Sequence, residues 1–380
     1  MGVKAYGLIS MDDKALKRLQ KEQMADKSSS KKKPVYFTTN STLMDLVVGG
    51  GEKIGYGFGY MSGSVIRDHA GEGSSKSFKA VECIAANYHK YKDKFRWRYI
   101  DVERGNTIDT EALYGVDIFS TEHIPSDKHP VATVEQWQCD ITSWLNSIKE
   151  DECGIYVLDS LDALSSQELE ERKEERLKAY EKGKDYDQGS FLGSSAKFLS
   201  QEFFRGLTAK LEEKNCILYI INQERDNMNA GLYGKKYRVG GGRAVGFYES
   251  VRVQSKLKNK VEKEGRAVSA LIEITAEKTR HPRPYRSCFI TLIFTYGVDS
   301  LYDELCFLFD CRSEKTGELL KTAEKIVYKD GMEPMALDEL VEYIYKNKLR
   351  KEVKEAVIAK WEAIEDSIAI KRPAKFSEDE

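Results

Sequence analysis

From about residue 35 to residue 300, runs of strand-type apolar residues alternate with amphipathic segments of helical period. Val65-Ile66 precede a Gly/Ser-rich turn, and a helix follows with Val81, Ile84, Ala85 and Tyr88 on one face. Arg96 to Asp101 reads as a strand, Trp137 to Ile148 as a helix, and Ile155 to Leu158 as the next strand. A long helix is predicted over Ser195 to Lys214, with Leu199, Phe203, Leu207 and Leu211 on one face. The strand Ile217 to Ile221 comes after it. Apolar runs separated by helical segments predict βαβ units and a mostly parallel sheet covered on both faces.

Three stretches depart from this alternation. Met11 to Met24 is a short charged helix whose Leu16 and Leu19 give only a narrow apolar stripe, so it needs a partner surface. Residues 27–33, KSSSKKK, form a basic linker, and Pro34 opens the next region. Gln167 to Asp187 is mostly charged and has no clear core face, which reads as a solvated helix or a flexible insertion. Past about residue 303 the pattern is helical again and closes on the acidic SEDE. The organisation expected is an N-terminal helical arm and linker (1–33), an α/β core (34–300) and a small C-terminal helical region with an acidic tail (301–380).

Composition narrows the function classes. The formal net charge is only -2, so nucleic-acid binding needs a local basic patch and cannot rest on global charge. The seven Cys are an odd number, contain no CxxC pair and lack zinc-ligand spacing, which suits reduced thiols in a cytoplasm. No apolar run approaches the roughly 20 residues of a membrane span. The N-terminus has no apolar core of a signal peptide, so no membrane and no secretion are expected.

The candidate chemistry begins at the turn Gly71 to Ala80, GEGSSKSFKA, which lies between a strand and a helix. A phosphate-binding loop belongs there: backbone N–H groups and the helix N-terminus cradle phosphate oxygens, a Lys reaches the β/γ-phosphates, and a hydroxyl holds Mg²⁺. Two registers compete. Lys76-Ser77 supplies the Lys-hydroxyl pair but has Ala70 and Ser75 in place of both glycines. Gly73 to Lys79 has the right spacing but puts Phe78 for the second glycine and Ala80 for the hydroxyl. A Gly/Ser loop without a ligand is the plain alternative. Asp101-Val102-Glu103, Asp159-Ser160 and Asn222-Gln223 follow three further strands. Polar residues at the carboxyl ends of several strands, after a phosphate loop, are what an open α/β sheet presents to a ligand.

These pieces resemble the RecA/UvsX recombinase family from about Thr38 to Asp299, most closely the UvsX recombinases of bacteriophages. The segment TTNSTLMDLVVGGG resembles the family's lead-in to its first core strand. SKSFK, Ser75 to Lys79, is similar to the phosphate loop of the UvsX branch, which favours Lys79 as the phosphate lysine and leaves Ala80 unexplained. The resemblance assigns the nucleotide contacts to Gly73, Ser74, Ser75, Lys76, Ser77, Phe78, Lys79 and Ala80, with Asp159 orienting Mg²⁺. YIDVE implies Glu103 as the residue that polarises the attacking water, and IINQ implies Gln223 as the sensor of the γ-phosphate. Glu277-Lys278-Thr279-Arg280 resembles the element that reaches a neighbouring subunit's ATP, so Lys278 and Arg280 would act in trans. Thr110 stands where a Tyr stacking on adenine would be expected.

The implied fold is a RecA-type ATPase core, and the implied cofactors are ATP and Mg²⁺. The implied activity is ATP-dependent strand exchange by a helical homo-oligomeric filament on single-stranded and double-stranded DNA. A recombination mediator and a single-strand-binding protein are further partners, in a host bacterial cytoplasm if the chain is a phage protein. The segment Glu224 to Gly242 would be the main DNA loop, with Arg225, Tyr233, Lys235, Lys236, Tyr237 and Arg238, and Arg243 just beyond. Cations interleaved with rings suit a single strand, whose phosphates they track and whose bases they stack. A solvated loop is the plain alternative. Gly189 to Ser194 would be the first, weaker loop. Two other functions fit the same motifs: a helicase-type motor on this fold, and a DNA-binding filament that does not hydrolyse ATP, which Ala80 suggests.

Overall fold

Strands with buried, β-branched residues on both faces dictate a sheet covered on both sides, and the computed structural model has one. It describes residues 33–54, 56–71, 73–120, 131–183, 198–227, 237–370 and 372. The chain divides into two units between Pro34 and Val35. The first unit carries the expected helix Met11 to Met24, which lies outside the described residues. The second is described below.

A short antiparallel pair, β1 (Tyr36–Phe37) and β2 (Tyr60–Met61), brackets helix α1 (Thr42–Gly49). The main sheet is built from β3 (Val65–Ala70), β4 (Phe95–Asp101), β5 (Cys153–Asp159), β6 (Cys216–Asp226), β7 (Tyr237–Val239), β8 (Val251–Lys263), β9 (Arg266–Lys278), β10 (Ser287–Ile293) and β11 (Gly297–Val298). Its spatial order is β11-β10-β9-β8-β3-β6-β5-β4, with β7 pairing β6. The strands from β8 to β4 pair in parallel, while β8 through β11 form an antiparallel extension. The fold is thus an α/β core with a mostly parallel central sheet flanked by helices, the architecture that the resemblance implied.

Burial follows position in this order. The interior strands β3 and β5 are buried at every residue, whereas the edge strand β4 buries Phe95, Trp97 and Tyr99 and leaves Arg96 and Arg98 half-buried. Successive side chains leave a strand on opposite faces. Ile155 and Val157, with Ile217, Tyr219 and Ile221, enter one core; Tyr156 and Leu158, with Leu218 and Ile220, enter the other. Helix α2 (Lys76–Tyr91) covers the first face, and α4 (Val134–Ser147) covers the second through Trp137, Ile141 and Leu145. A shorter helix, α3 (Thr110–Tyr114), lies between them in the chain.

Helix α5 (Gln167–Glu181) has no buried residue and carries i,i+4 and i,i+3 ion pairs such as Arg172–Glu168 and Lys173–Glu170, both 2.7 Å. It is the solvated helix of the two readings. The long helix expected over Ser195 to Lys214 is instead interrupted. A wide π-type turn spans Leu199–Phe203, Gly206 takes φ 81°, and α6 (Leu207–Glu213) follows. Consecutive Phe203 and Phe204 are both buried, the first against Trp137 and the second against Tyr248. A regular helix turns neighbouring side chains about 100° apart, so the backbone widens to seat both rings.

Helix α7 (Gly242–Tyr248) precedes β8. Beyond residue 300 lie α8 (Ser300–Leu308), α9 (Leu337–Lys346) and α10 (Arg350–Ile368). Their Leu301, Leu305, Leu340, Ile344, Val357 and Trp361 join the same core as α2 and the sheet. Among the described residues no helix is long and apolar enough to cross a membrane.

Candidate nucleotide site and its link to a basic ribbon

Strand β3 runs directly into the Gly/Ser turn, and α2 starts at Lys76. A turn this tight needs left-handed backbone. Gly73 supplies it at φ 69°, and Ser75 adopts it at φ 57° despite its Cβ, at a cost of about 1 kcal/mol. Ser75 therefore occupies a conformation that glycine normally fills. A Cβ added at Gly71 or Gly73 would meet nothing within 4 Å, so the loop faces open space. Ser74 Oγ donates to the Gly71 carbonyl at 2.6 Å and braces the turn. Lys76 Nζ folds back over the loop and donates to the carbonyls of Ala70 (3.2 Å) and Gly71 (3.0 Å). Ser77 Oγ donates to Asp159 Oδ2 at 2.6 Å.

Lys79, expected as the phosphate lysine, is placed elsewhere. Its ammonium pairs with Asp68 at 2.5 Å and donates to Ser255, with 4 % of the residue exposed. Burial pushes its pKa down against the pull of Asp68. One turn into the helix, its side chain points into the sheet, because a Cβ there lies over the core face. Ala80 beside it is fully buried, and Phe78 packs against the core. In the register Gly73 to Lys79, the lysine and the Ala80 that stands for the hydroxyl residue thus both lie inside the protein.

Asp159 ends β5 and is 7 % exposed. Besides Ser77, its Oδ2 accepts from Tyr99 OH (2.6 Å) and Asn106 Nδ2 (3.3 Å). Burial raises its pKa, opposed by these three donors. Asn106 is itself held by its N–H to Asp101 Oδ2 at 3.0 Å. Glu103 follows β4 and is exposed; its Oε1 accepts from Ser160 Oγ and from Gln223 Nε2 at 3.0 Å. Sequence reasoning named Glu103, Asp159 and Gln223, and the fold brings them together. It gave no role to Ser160 and missed Tyr99 and Asn106, which orient those carboxylates.

Among the described residues no group of three or more His, Cys, Asp or Glu side chains could hold a metal. The hydroxyl of Ser77 beside the Asp159 carboxylate is a donor set suited to Mg²⁺ that keeps waters and phosphate oxygens as its other ligands.

Gln223 also connects this cluster to a second feature. Its N–H donates to Asp162 Oδ2 at 2.7 Å, and Asn222 Nδ2 reaches the same oxygen at 2.9 Å. Buried Arg67 donates to Asn222 Oδ1 at 3.0 Å and to the Gly240 carbonyl, and pairs with Glu249 at 3.4 Å. A Cβ on Gly240 would fall 2.1 Å from Asp162 Oδ1, so a larger residue there would have to displace the Asp162 carboxylate. Beyond Gln223, β6 pairs antiparallel with β7, setting Arg225 opposite Arg238. Like charges directly across a ribbon destabilise it and favour an anion between them. Arg225 is largely exposed, with Asp162 3.8 Å away, and Arg238 is exposed.

Tyr237, expected to face a nucleic acid, turns inward. Its hydroxyl donates to Glu277 Oε1 at 3.0 Å and its ring lies 5.6 Å from that of His69. Tyr233, Lys235, Lys236, the side chain of Arg243 and the loop Gly189 to Ser194 lie outside the described residues. Lys278 Nζ donates to the Gly246 carbonyl at 3.1 Å, and Arg280 to the Gly63 carbonyl at 2.6 Å. Both are engaged away from Lys76 and Asp159. Thr110 is buried, with its Oγ1 accepting from the Ile118 N–H at 2.9 Å, a structural role.

The family model for the RecA N-terminal domain matches residues 13–299 of the chain. Protein RecA of Malacoplasma penetrans is 24% identical over 262 residues, covering 69% of this chain and 69% of that protein. Protein RecA of Clostridioides difficile is 25% identical over 272 residues, covering 71% and 68%. Protein RecA of Streptococcus agalactiae is 24% identical over 332 residues, covering 84% and 74%. Among solved structures, the crystal structure of the RadB recombinase aligns with a TM-score of 0.45 and 13% identity, covering 69% of this chain and 98% of that one.

Proposed function

The chain belongs to the RecA family, and from that premise we propose that it is an ATP-dependent recombinase that forms filaments on single-stranded DNA and exchanges strands in homologous recombination and repair. The observation that carries the reading is Gln223. Its amide rests on Glu103 beside the phosphate loop, and its strand continues into the ribbon that bears Arg225 and Arg238.

The loop N–H groups and the α2 N-terminus receive the phosphates. Lys76 leaves two carbonyl acceptors and turns its charge to the β/γ-phosphates, so Lys76-Ser77 is the working pair. Ser77 and Asp159 would hold Mg²⁺, which would supply positive charge against that developing on the transferred phosphate. Glu103 polarises the attacking water, while Ser160 and Gln223 fix its carboxylate. A γ-phosphate that draws Gln223 toward itself moves the root of the ribbon, and that couples nucleotide to DNA. In a filament, Lys278 and Arg280 exchange backbone carbonyls for the neighbour's ATP, and residues 1–33 serve as the docking arm.

Ala80 no longer points to a filament that cannot hydrolyse ATP, because Ser77 supplies the hydroxyl. The similarity found is to RecA proteins, and the finer likeness to the UvsX branch that Phe78 and Lys79 suggested has no support in it.

Phosphate release measured with and without single-stranded DNA over a salt series tests the reading. DNA is expected to stimulate turnover, with an affinity that falls log-linearly as salt rises. Replacing Arg225, Lys235, Lys236 and Arg238 with Ala should flatten that slope by about 0.7 for each phosphate no longer neutralised. Turnover indifferent to DNA would overturn the proposal, and an unchanged slope would move the DNA path off the ribbon.

A further inference from the structure

His69 is the penultimate residue of β3, next to the phosphate loop, and only 1 % of it is exposed. Nothing in the nucleotide chemistry uses it. Its Nδ1 lies 2.8 Å from Glu224 Oε1 and its Nε2 3.2 Å from Glu277 Oε2. The surrounding groups come from every element packed against it. From β6, Glu224 also accepts from Gln254 Nε2 of β8 at 2.9 Å. From β7, Tyr237 stacks obliquely on the imidazole and donates to Glu277. From β9, Glu277 also faces Arg252 of β8 at 3.8 Å. Lys256 of β8 adds positive potential at Glu224.

An imidazole can donate to two carboxylates at once only when both nitrogens carry protons. Burial works against that charged ring, but the hydrogen bonds and charges of Glu224 and Glu277 outweigh it and hold its pKa above 6.5. The two carboxylates sit at informative places. Glu224 directly follows Gln223 on β6, and Glu277 directly precedes Lys278 on β9.

We propose that His69 is a positioning residue whose imidazolium, clamped between Glu224 and Glu277, locks the root of the β6–β7 ribbon to the end of β9 and so sets Gln223 and Lys278 together. The functional consequence rests on the reading above, in which those two residues serve the ATP reaction. Because the folded pKa is raised, the clamp is complete below the ordinary imidazole range and is lost as pH rises through the raised value. Neutral His69 keeps one N–H and leaves the other carboxylate facing a lone pair.

The test compares the full chain with His69→Gln, whose amide can serve one carboxylate but cannot become a cation. Backbone hydrogen exchange at 224–227 and 275–278, corrected for intrinsic rates, is followed between about pH 6 and pH 9. The parent should lose protection at both strand ends together as pH rises. His69→Gln should be weakly protected and flat with pH. In DNA-stimulated turnover the variant should lose about tenfold in kcat, keep KM for ATP within about twofold, and lack the parent's alkaline limb. A purely structural role would lower turnover equally at every pH. Should His69→Gln fail to fold, Glu277→Gln removes one jaw of the clamp and must abolish the same pH dependence. Exchange that is identical in parent and variant at every pH would overturn the proposal. If the exchange result holds but parental turnover ignores DNA, the clamp stands and the recombinase reading fails.

Discussion

Lys76→Ala should sharply lower ATP turnover and leave the fold intact, whereas Lys79→Ala should unfold the protein at a much lower denaturant concentration. Among the described residues Lys76 donates to two backbone carbonyls at the mouth of the loop, so its removal changes stability by about 0.5 kcal/mol or less. Its charge is worth most on a developing phosphate, and turnover should fall about 100- to 1000-fold. Lys79 is the reverse case. Its removal leaves Asp68 buried without a cation, with Tyr219 OH at 2.6 Å and Ser255 at 3.3 Å as its remaining donors. Breaking a buried pair costs about 3–5 kcal/mol, and those two hydrogen bonds keep the loss near the lower end. Urea midpoints and phosphate release on the same two preparations decide the matter. A stable Lys79→Ala protein that no longer turns over would return the phosphate lysine to position 79.

Glu103→Gln should lower turnover by about 10²- to 10⁴-fold while nucleotide and DNA affinities stay near the parental values. The substitution keeps the volume and an oxygen that can still accept from Ser160 and Gln223. It removes only the charge that draws a proton from water. Single-turnover phosphate release alongside titration with a fluorescent nucleotide separates the two effects. Parental hydrolysis in the variant would mean that Glu103 is not the group that activates water.

Much of the fold was legible because buried parallel strands carry continuous apolar runs. Ile155 to Leu158 and Ile217 to Ile221 could hardly be anything else, and the polar residues that end them marked the candidate site. The phosphate-loop register was harder. Ser75 holds a glycine conformation without being glycine, so the spacing alone left Lys76 and Lys79 both open. A usable signal was Asp68: an acid inside an apolar strand needs a buried cation, and a lysine one turn into the following helix can supply it. The break in the helix before β6 also had a mark, since Phe203-Phe204 followed by Gly206 asks for two core-facing rings and then a left-handed residue. The inward turn of Tyr237 depends on Glu277 and His69, residues far apart in sequence, and no local pattern announces it. The helices beyond residue 300 read as an appendage because their apolar stripes are short, yet Leu305, Leu340, Val357 and Trp361 enter the same core as α2.

A RecA-family chain that works as proposed assembles on DNA as a filament whose ATP sites lie between subunits. Electron microscopy of the full chain with single-stranded DNA, Mg²⁺ and ATP examines this assembly directly. Continuous helical filaments that coat the DNA and disperse once the ATP is consumed are expected. Closed rings, or DNA left bare at protein concentrations that saturate nucleotide binding, would contradict the proposed function.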